Sequence, residues 1–207
     1  MTKLDLTKQH KAYYTAKPEP ELVTIETVSF LSICGKGDPS GQAFASNIEA
    51  LYSTAYAIKF ACKGRGNDFV VARLEGLWWY DENRYSGNNL AHAPVAVPRS
   101  EWEYRLLIRL PDFVTKEAVE KAKETVLAKK GLQLVTGVEF FTMTEGKSVQ
   151  IVHVGPFDTE PQTLQKIAEF CATHGLEKNG HHHEIYLSDF RKTAPERLKT
   201  ILREPVK

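Results

Sequence analysis

The stretch His183-Glu184-Ile185-Tyr186-Leu187-Ser188-Asp189 decides how this chain is read. It has the alternation of a β-strand, in which successive side chains point to opposite faces. Glu184 and Tyr186 therefore share one face, while Ile185 and Leu187 share the other, which must meet the core. An acid beside a phenol on the face away from the core is the chemistry of a small-molecule groove. Upstream, Leu74-Glu75-Gly76-Leu77-Trp78-Trp79-Tyr80 places another acid in an apolar, aromatic strand. Each stretch follows a helix. Two similar modules facing each other across a pocket are therefore expected, with Glu75 as the counterpart of Glu184.

The segments between these strands support that order. Val23 to Cys34 is rich in β-branched residues and predicts a strand. Phe44, Ile48, Leu51, Ala55, Ile58 and Cys62 recur at steps of four and three, the stripe of one helix face, with Tyr52, Tyr56 and Phe60 beside it. Glu101 to Leu110 predicts a third strand. Thr115 can cap a helix that Gly131 ends. Val138 to Thr144 and Ser148 to Val154 read as a hairpin turning at Glu145-Gly146-Lys147, and a helix beginning near Pro161 precedes the 182–188 strand. The fold expected is α+β: tandem strand-helix-strand-strand modules with pseudo-twofold symmetry, helices packed on antiparallel sheets, and a ligand groove between the modules. Residues 1–20 are expected as a surface arm, 21–113 as module one, 115–131 as a connecting helix and 132–206 as module two. The polar segment 81–99 is long for a connection and is expected to border the site.

Composition narrows the function. The chain has 207 residues and a formal net charge of +1. It contains no Lys/Arg run or nucleic-acid motif, so no nucleic-acid partner is expected. No apolar run approaches a membrane span and no signal-peptide core follows Met1, so the expected location is cytoplasmic. Cys34, Cys62 and Cys171 fit reduced thiols, the latter two as small apolar residues. His181-His182-His183 invites a metal, but neighbouring strand residues face opposite ways and no further ligand lies at a diagnostic spacing; no metal or cofactor is expected.

Four segments in this order resemble the GyrI-like small-molecule-binding superfamily: Glu75-Gly76-Leu77-Trp78-Trp79, Arg109-Leu110-Pro111-Asp112-Phe113-Val114, His153-Val154-Gly155-Pro156-Phe157-Asp158 and the 182–189 strand. The resemblance is strongest to the stand-alone subfamily without a DNA-binding head. It implies a groove for planar aromatic or cationic xenobiotics. In some stand-alone members it also implies hydrolysis of the cyclopropane ring of DNA-alkylating cyclopropanoids inside an aromatic cage. A binding-only protein, acting as a xenobiotic sink or as partner of a regulator or topoisomerase, is the competing expectation. A regulator is disfavoured, because about 20 residues before the first strand cannot hold a helix-turn-helix.

On this reading Glu184 orients or deprotonates a water, and Tyr186 supplies a wall and a phenolic donor. Glu75 joins them, or else pairs structurally with Arg73 or Arg105. Parity sends Trp79 to the groove with Glu75 and Trp78 to the core, unless a bulge reverses them. Tyr56, ahead of Tyr52, is expected to reach the ligand, and Trp102 and Phe140 are further candidates for the cage.

Overall fold

Two sixteen-residue strands set the architecture. The computed structural model describes residues 3–85 and 91–207. In chain order the elements are α1 (Leu6–Gln9), β1 (Glu21–Lys36), α2 (Gln42–Gly64), β2 (Leu74–Trp79), α3 (Ala93–Ala96), β3 (Glu103–Arg109), α4 (Lys116–Lys130), β4 (Glu139–Val154), α5 (Glu160–Thr173), β5 (His182–Tyr186) and β6 (Lys199–Pro205). The strands close an antiparallel barrel in the order β1-β3-β2-β5-β6-β4. The unit strand-helix-strand-strand occurs twice, as β1-α2-β2-β3 and β4-α5-β5-β6, with α4 between. The fold is α+β, as the pattern predicts. Thr115 caps α4 by accepting from the Ala118 amide, and Gly131 ends it in the left-handed region at φ +64°. None of the described helices is long and apolar enough to cross a membrane.

Closure buries both faces of β2, β5 and β6 almost throughout, whereas β1 and β4 keep exposed stretches. Phe30, Leu77, Leu107, Ile185 and Ile201 fill the barrel. On the outside, Leu51, Ala55 and Ile58 of α2 pack on Leu31, Leu106 and Ile108. Leu164 and Ile167 of α5 pack on Val149, Ile151 and Leu202. Each such aliphatic side chain contributes about 1.5–3 kcal/mol through burial.

The hairpin expected at Glu145-Gly146-Lys147 does not form. β4 runs through it unbroken because β1 pairs on both sides, Thr24 with Lys147 and Thr27 with Thr144. Gly146 sits at φ +68°, a conformation that favours glycine, and kinks the strand. The kink exchanges faces. Phe141 and Met143 point into the barrel, whereas Val149 and Ile151 point at α5.

The N-terminal segment also departs from the surface arm expected. Tyr13 and Tyr14 are each 7% exposed and pack into the barrel cluster. They close a polar chain inside it. The Tyr13 hydroxyl donates to Glu75 Oε2 at 2.6 Å and that of Tyr14 to Oε1 at 3.4 Å. His183 bridges two acids, with Nε2 3.0 Å from Glu75 Oε2 and Nδ1 2.9 Å from Glu145 Oε1. Arg203 donates to Glu145 Oε2 at 3.0 Å, to Gln150 Oε1 at 2.9 Å and to the Tyr13 carbonyl at 3.0 Å. Two acids face two cations, as burial demands. Burial works against a charged His183, but Glu145 and Glu75 outweigh it and raise its pKa to about 9. Burial likewise works against a charged Glu145, yet His183 and Arg203 hold its pKa at about 2.

Two outcomes follow for stability. Tyr13→Phe leaves Glu75 Oε2 with His183 as its remaining partner and should cost about 1–3 kcal/mol, read as a lower urea midpoint. A surface arm would leave the midpoint unmoved. The His183 contribution is complete below its ordinary pKa of 6.5 and disappears as pH rises through about 9. That of Glu145 is complete above 4.5 and disappears as pH falls through about 2. The wild-type melting temperature should therefore fall from pH 6.5 towards 9, and less so in His183→Gln. A flat profile across that interval would mean that His183 is neutral when folded.

Candidate functional site

The outer face of the β2–β5 pair carries the site. Gly76 lies opposite Glu184 and Trp78 opposite His182, and residues directly opposite share a face. A glycine in mid-strand marks a close approach. A Cβ at position 76 would lie 2.9 Å from Trp78 Nε1 and 3.1 Å from Tyr186 Oη. Its absence lets those two side chains meet over the strand. Trp78 Nε1 donates to Tyr186 Oη at 3.2 Å, and Tyr186 Oη donates to Glu184 Oε2 at 2.6 Å. Burial, followed by the negative charge of Glu184, pushes the Tyr186 pKa well above that of a free phenol, so Tyr186 keeps its proton.

These groups line a cavity of about 810 Å³. Its apolar walls include Phe44, Trp78, Trp102, Phe157 and Phe190, and its polar groups include Glu160, His182, Glu184 and Glu204. Phe44 stacks on Trp78 at 5.8 Å between ring centroids. Glu82, Tyr85, Ala93, Pro94 and Arg99 border the cavity, so the described parts of segment 81–99 lie where expected. Gly87, Asn88 and Asn89 lie outside the described residues.

The second acid of the cavity is Glu160, the first residue of α5. It is 7% exposed, and its Oε1 has no hydrogen-bond partner among the described residues. Burial, and then the neighbouring Glu184, raise its pKa well above the usual carboxylate range, outweighing His182. Its carboxyl therefore holds its proton more tightly than an ordinary one. His182 is fully charged at neutral pH: burial pulls its pKa down, but Glu204 and Glu184 bring it to about 10. Its Nδ1 bonds Glu204, while Nε2 lies 3.5 Å from Glu184 Oε1 without forming a hydrogen bond. The cavity thus combines aromatic walls, an acceptor carboxylate and an acid that holds its proton tightly.

Of the candidates read from sequence, Glu184, Tyr186, Trp78 and Trp102 meet in this cavity. Glu75 does not. It pairs across the sheet with Ile185, so it faces the barrel interior and is fully buried there. Aligning Glu75 with Glu184 was a one-residue slip, which in a strand exchanges faces. The same slip inverted the two tryptophans. Trp79 follows Glu75 to the barrel side, stacks on His181 at 4.5 Å and donates to Glu103, and it is also among the residues lining the cavity. Tyr56 is 46% exposed and lines a different cleft, of about 1370 Å³, between α2, α4 and residues 186–192. Phe140 packs under the helices and lies outside the walls of both cavities. His153 bonds Thr163 and the Pro156 carbonyl. Sequence reasoning missed Glu160, His182 and Glu204. Strand parity from Glu184 pointed to His182, and nothing local pointed to the other two.

A family model described as the GyrI-like small molecule binding domain matches residues 18–207. An uncharacterised conserved protein from Listeria innocua is 39% identical, covers 99% of this chain and 100% of its own, and superposes with a TM-score of 0.87. A hydrolase from Listeria innocua, also 39% identical with the same coverage, superposes at 0.84. The C-terminal domain of EcmrR is 11% identical over 91% of this chain and 97% of its own, at 0.59, a likeness of fold alone. No curated protein matches the sequence.

Gly76→Ala should disturb the site more than the fold. The new methyl must displace Trp78 or Tyr186, at a cost of about 1–3 kcal/mol. Tryptophan fluorescence should change while the far-ultraviolet circular dichroism does not. An unchanged emission spectrum would show that the two rings do not depend on this glycine.

Proposed function

This chain belongs to the GyrI-like small molecule binding domain family, and from that premise we propose that it binds planar aromatic xenobiotics in the β2–β5 cavity and hydrolyses strained electrophilic rings, such as the cyclopropane of cyclopropanoid DNA-alkylating compounds. The observation that carries this reading is the Tyr186–Glu184 hydrogen bond of 2.6 Å inside an aromatic-walled cavity. At about 810 Å³ the space suits a drug-sized ligand. Stacking on Trp78, Trp102 or Phe157 adds about 0.5–1.5 kcal/mol per ring pair beyond buried area. A 39%-identical neighbour named as a hydrolase supports the catalytic form of the reading.

The chemistry needs neither metal nor redox partner. Glu184 takes a proton from a water molecule, and the water oxygen bonds to the strained ring carbon. A ring C–C bond breaks, and its electron pair moves through the conjugated dienone to the carbonyl oxygen. That oxygen takes up a proton and becomes a phenol, so the net change is the addition of one water. Tyr186 orients Glu184, and the walls hold the substrate for in-line attack, where positioning contributes several kcal/mol.

The test is turnover of a spirocyclopropyl dienone. Wild-type protein should form hydrolysed product well beyond one equivalent. Glu184→Gln keeps an acceptor for Tyr186 but loses basicity, so it should still bind while its rate falls about 10²–10⁴-fold. Undiminished turnover in Glu184→Gln would remove Glu184 from the mechanism. Product that stops at or below one equivalent with wild-type protein would leave a binding protein.

A further inference from the structure

We propose that Glu160 and His182 form a two-donor subsite for a carbonyl oxygen on the ligand, so that the cavity selects neutral planar compounds bearing a conjugated carbonyl over planar cations. This rests on the small-molecule reading above and specifies the ligand's polar group.

Among the described residues, two buried side-chain polar atoms have no hydrogen-bond partner, Glu160 Oε1 and His182 Nε2, and both residues line this cavity. Buried polar groups are normally paired, and an unpaired one costs free energy. Three neighbouring groups are already engaged. Tyr186 gives its proton to Glu184, Trp78 gives its N–H to Tyr186, and Glu204 bonds His182 Nδ1. Protonated Glu160 offers an O–H, held so by burial and by Glu184. Cationic His182 offers an N–H from Nε2, its charge kept by Glu204 and Glu184 against burial. Both unpartnered groups are therefore donors, and one is positively charged.

A ligand cation would meet two donors and a like charge, while Glu204 is bonded to His182 Nδ1 and Glu184 accepts the Tyr186 proton. A carbonyl oxygen has two lone pairs and would satisfy both donors at once. In the ring-opening reaction the same oxygen gains negative charge, and fixed donors at that position stabilise it. Glu160 sits at the start of α5 and His182 on β5, so the subsite spans the seam between helix and barrel.

Acridone, neutral with a ring carbonyl, and N-methylacridinium, a permanent cation of similar shape, separate the possibilities by calorimetry. Wild-type protein should bind acridone about tenfold or more tightly than N-methylacridinium, the worth of one well-made hydrogen bond. The carbonyl stretch of bound acridone should move to lower frequency. Glu160→Gln retains an N–H donor and should keep both the affinity and the shift, whereas Glu160→Ala should weaken acridone about tenfold and reduce the shift. Thermal melting confirms that each variant is folded. Tighter binding of N-methylacridinium, with its loss in Glu160→Gln, would make Glu160 an ionised counter-ion and overturn this inference alone. Binding of neither probe to wild-type protein would overturn the small-molecule reading and this inference with it.

Discussion

His183 holds the molecule together from inside the barrel. Its two ring nitrogens reach Glu75 on β2 and Glu145 on β4, and Arg203 on β6 extends the chain to Tyr13. Five segments distant in sequence are thus joined by directional, charge-assisted bonds among buried side chains. Breaking one member would leave an uncompensated buried charge, which is more costly than the bond itself is favourable. β2 and β5 are therefore held in one register, and register decides which side chains reach the cavity.

The same pair of strands shows opposite electrostatic solutions on its two faces. Inside, each acid has a cation and the network is closed. Outside, Glu160 Oε1 and His182 Nε2 have no hydrogen-bond partner among the described residues. Such imperfect pairing is tolerated where a ligand can complete it. The rigid face and the incomplete face are separated by the thickness of one sheet. The internal network and the cavity lining are thus built from alternate residues of one strand: His183 and Ile185 inward, His182, Glu184 and Tyr186 outward.

This alternation also explains what could be read from sequence. The stripe from Phe44 to Cys62, the Thr115 cap and the Gly131 stop are local signals, and the elements they predict are present. The order of strands and helices followed from them. The choice of face did not. In an open sheet one face is wet, and polar residues mark it. In this barrel both faces of β2 are buried, so Glu75 looks like a groove residue although it lies in the interior. Its partners Tyr13, Tyr14 and His183 come from distant segments. The first twenty residues read as a surface arm because their composition is polar, while the two tyrosines that matter carry no periodic signal. Glu160 was hidden for a similar reason. An acid in the first turn of a helix is ordinarily a solvated one that favours the helix dipole, and burial, with Glu184 nearby, makes this one otherwise.

Closure of the barrel has a consequence for how such a protein can change over evolutionary time. The acid and phenol stand on a strand whose neighbours are locked on both sides, while much of the rest of the wall comes from α2, α5 and the connections between elements. Substitutions in those outer pieces can reshape the cavity without moving Glu184 or Tyr186. New ligand shapes can therefore be explored at little risk to the reactive groups, and a lineage can broaden or narrow its chemical repertoire by editing the shell while inheriting the strand intact.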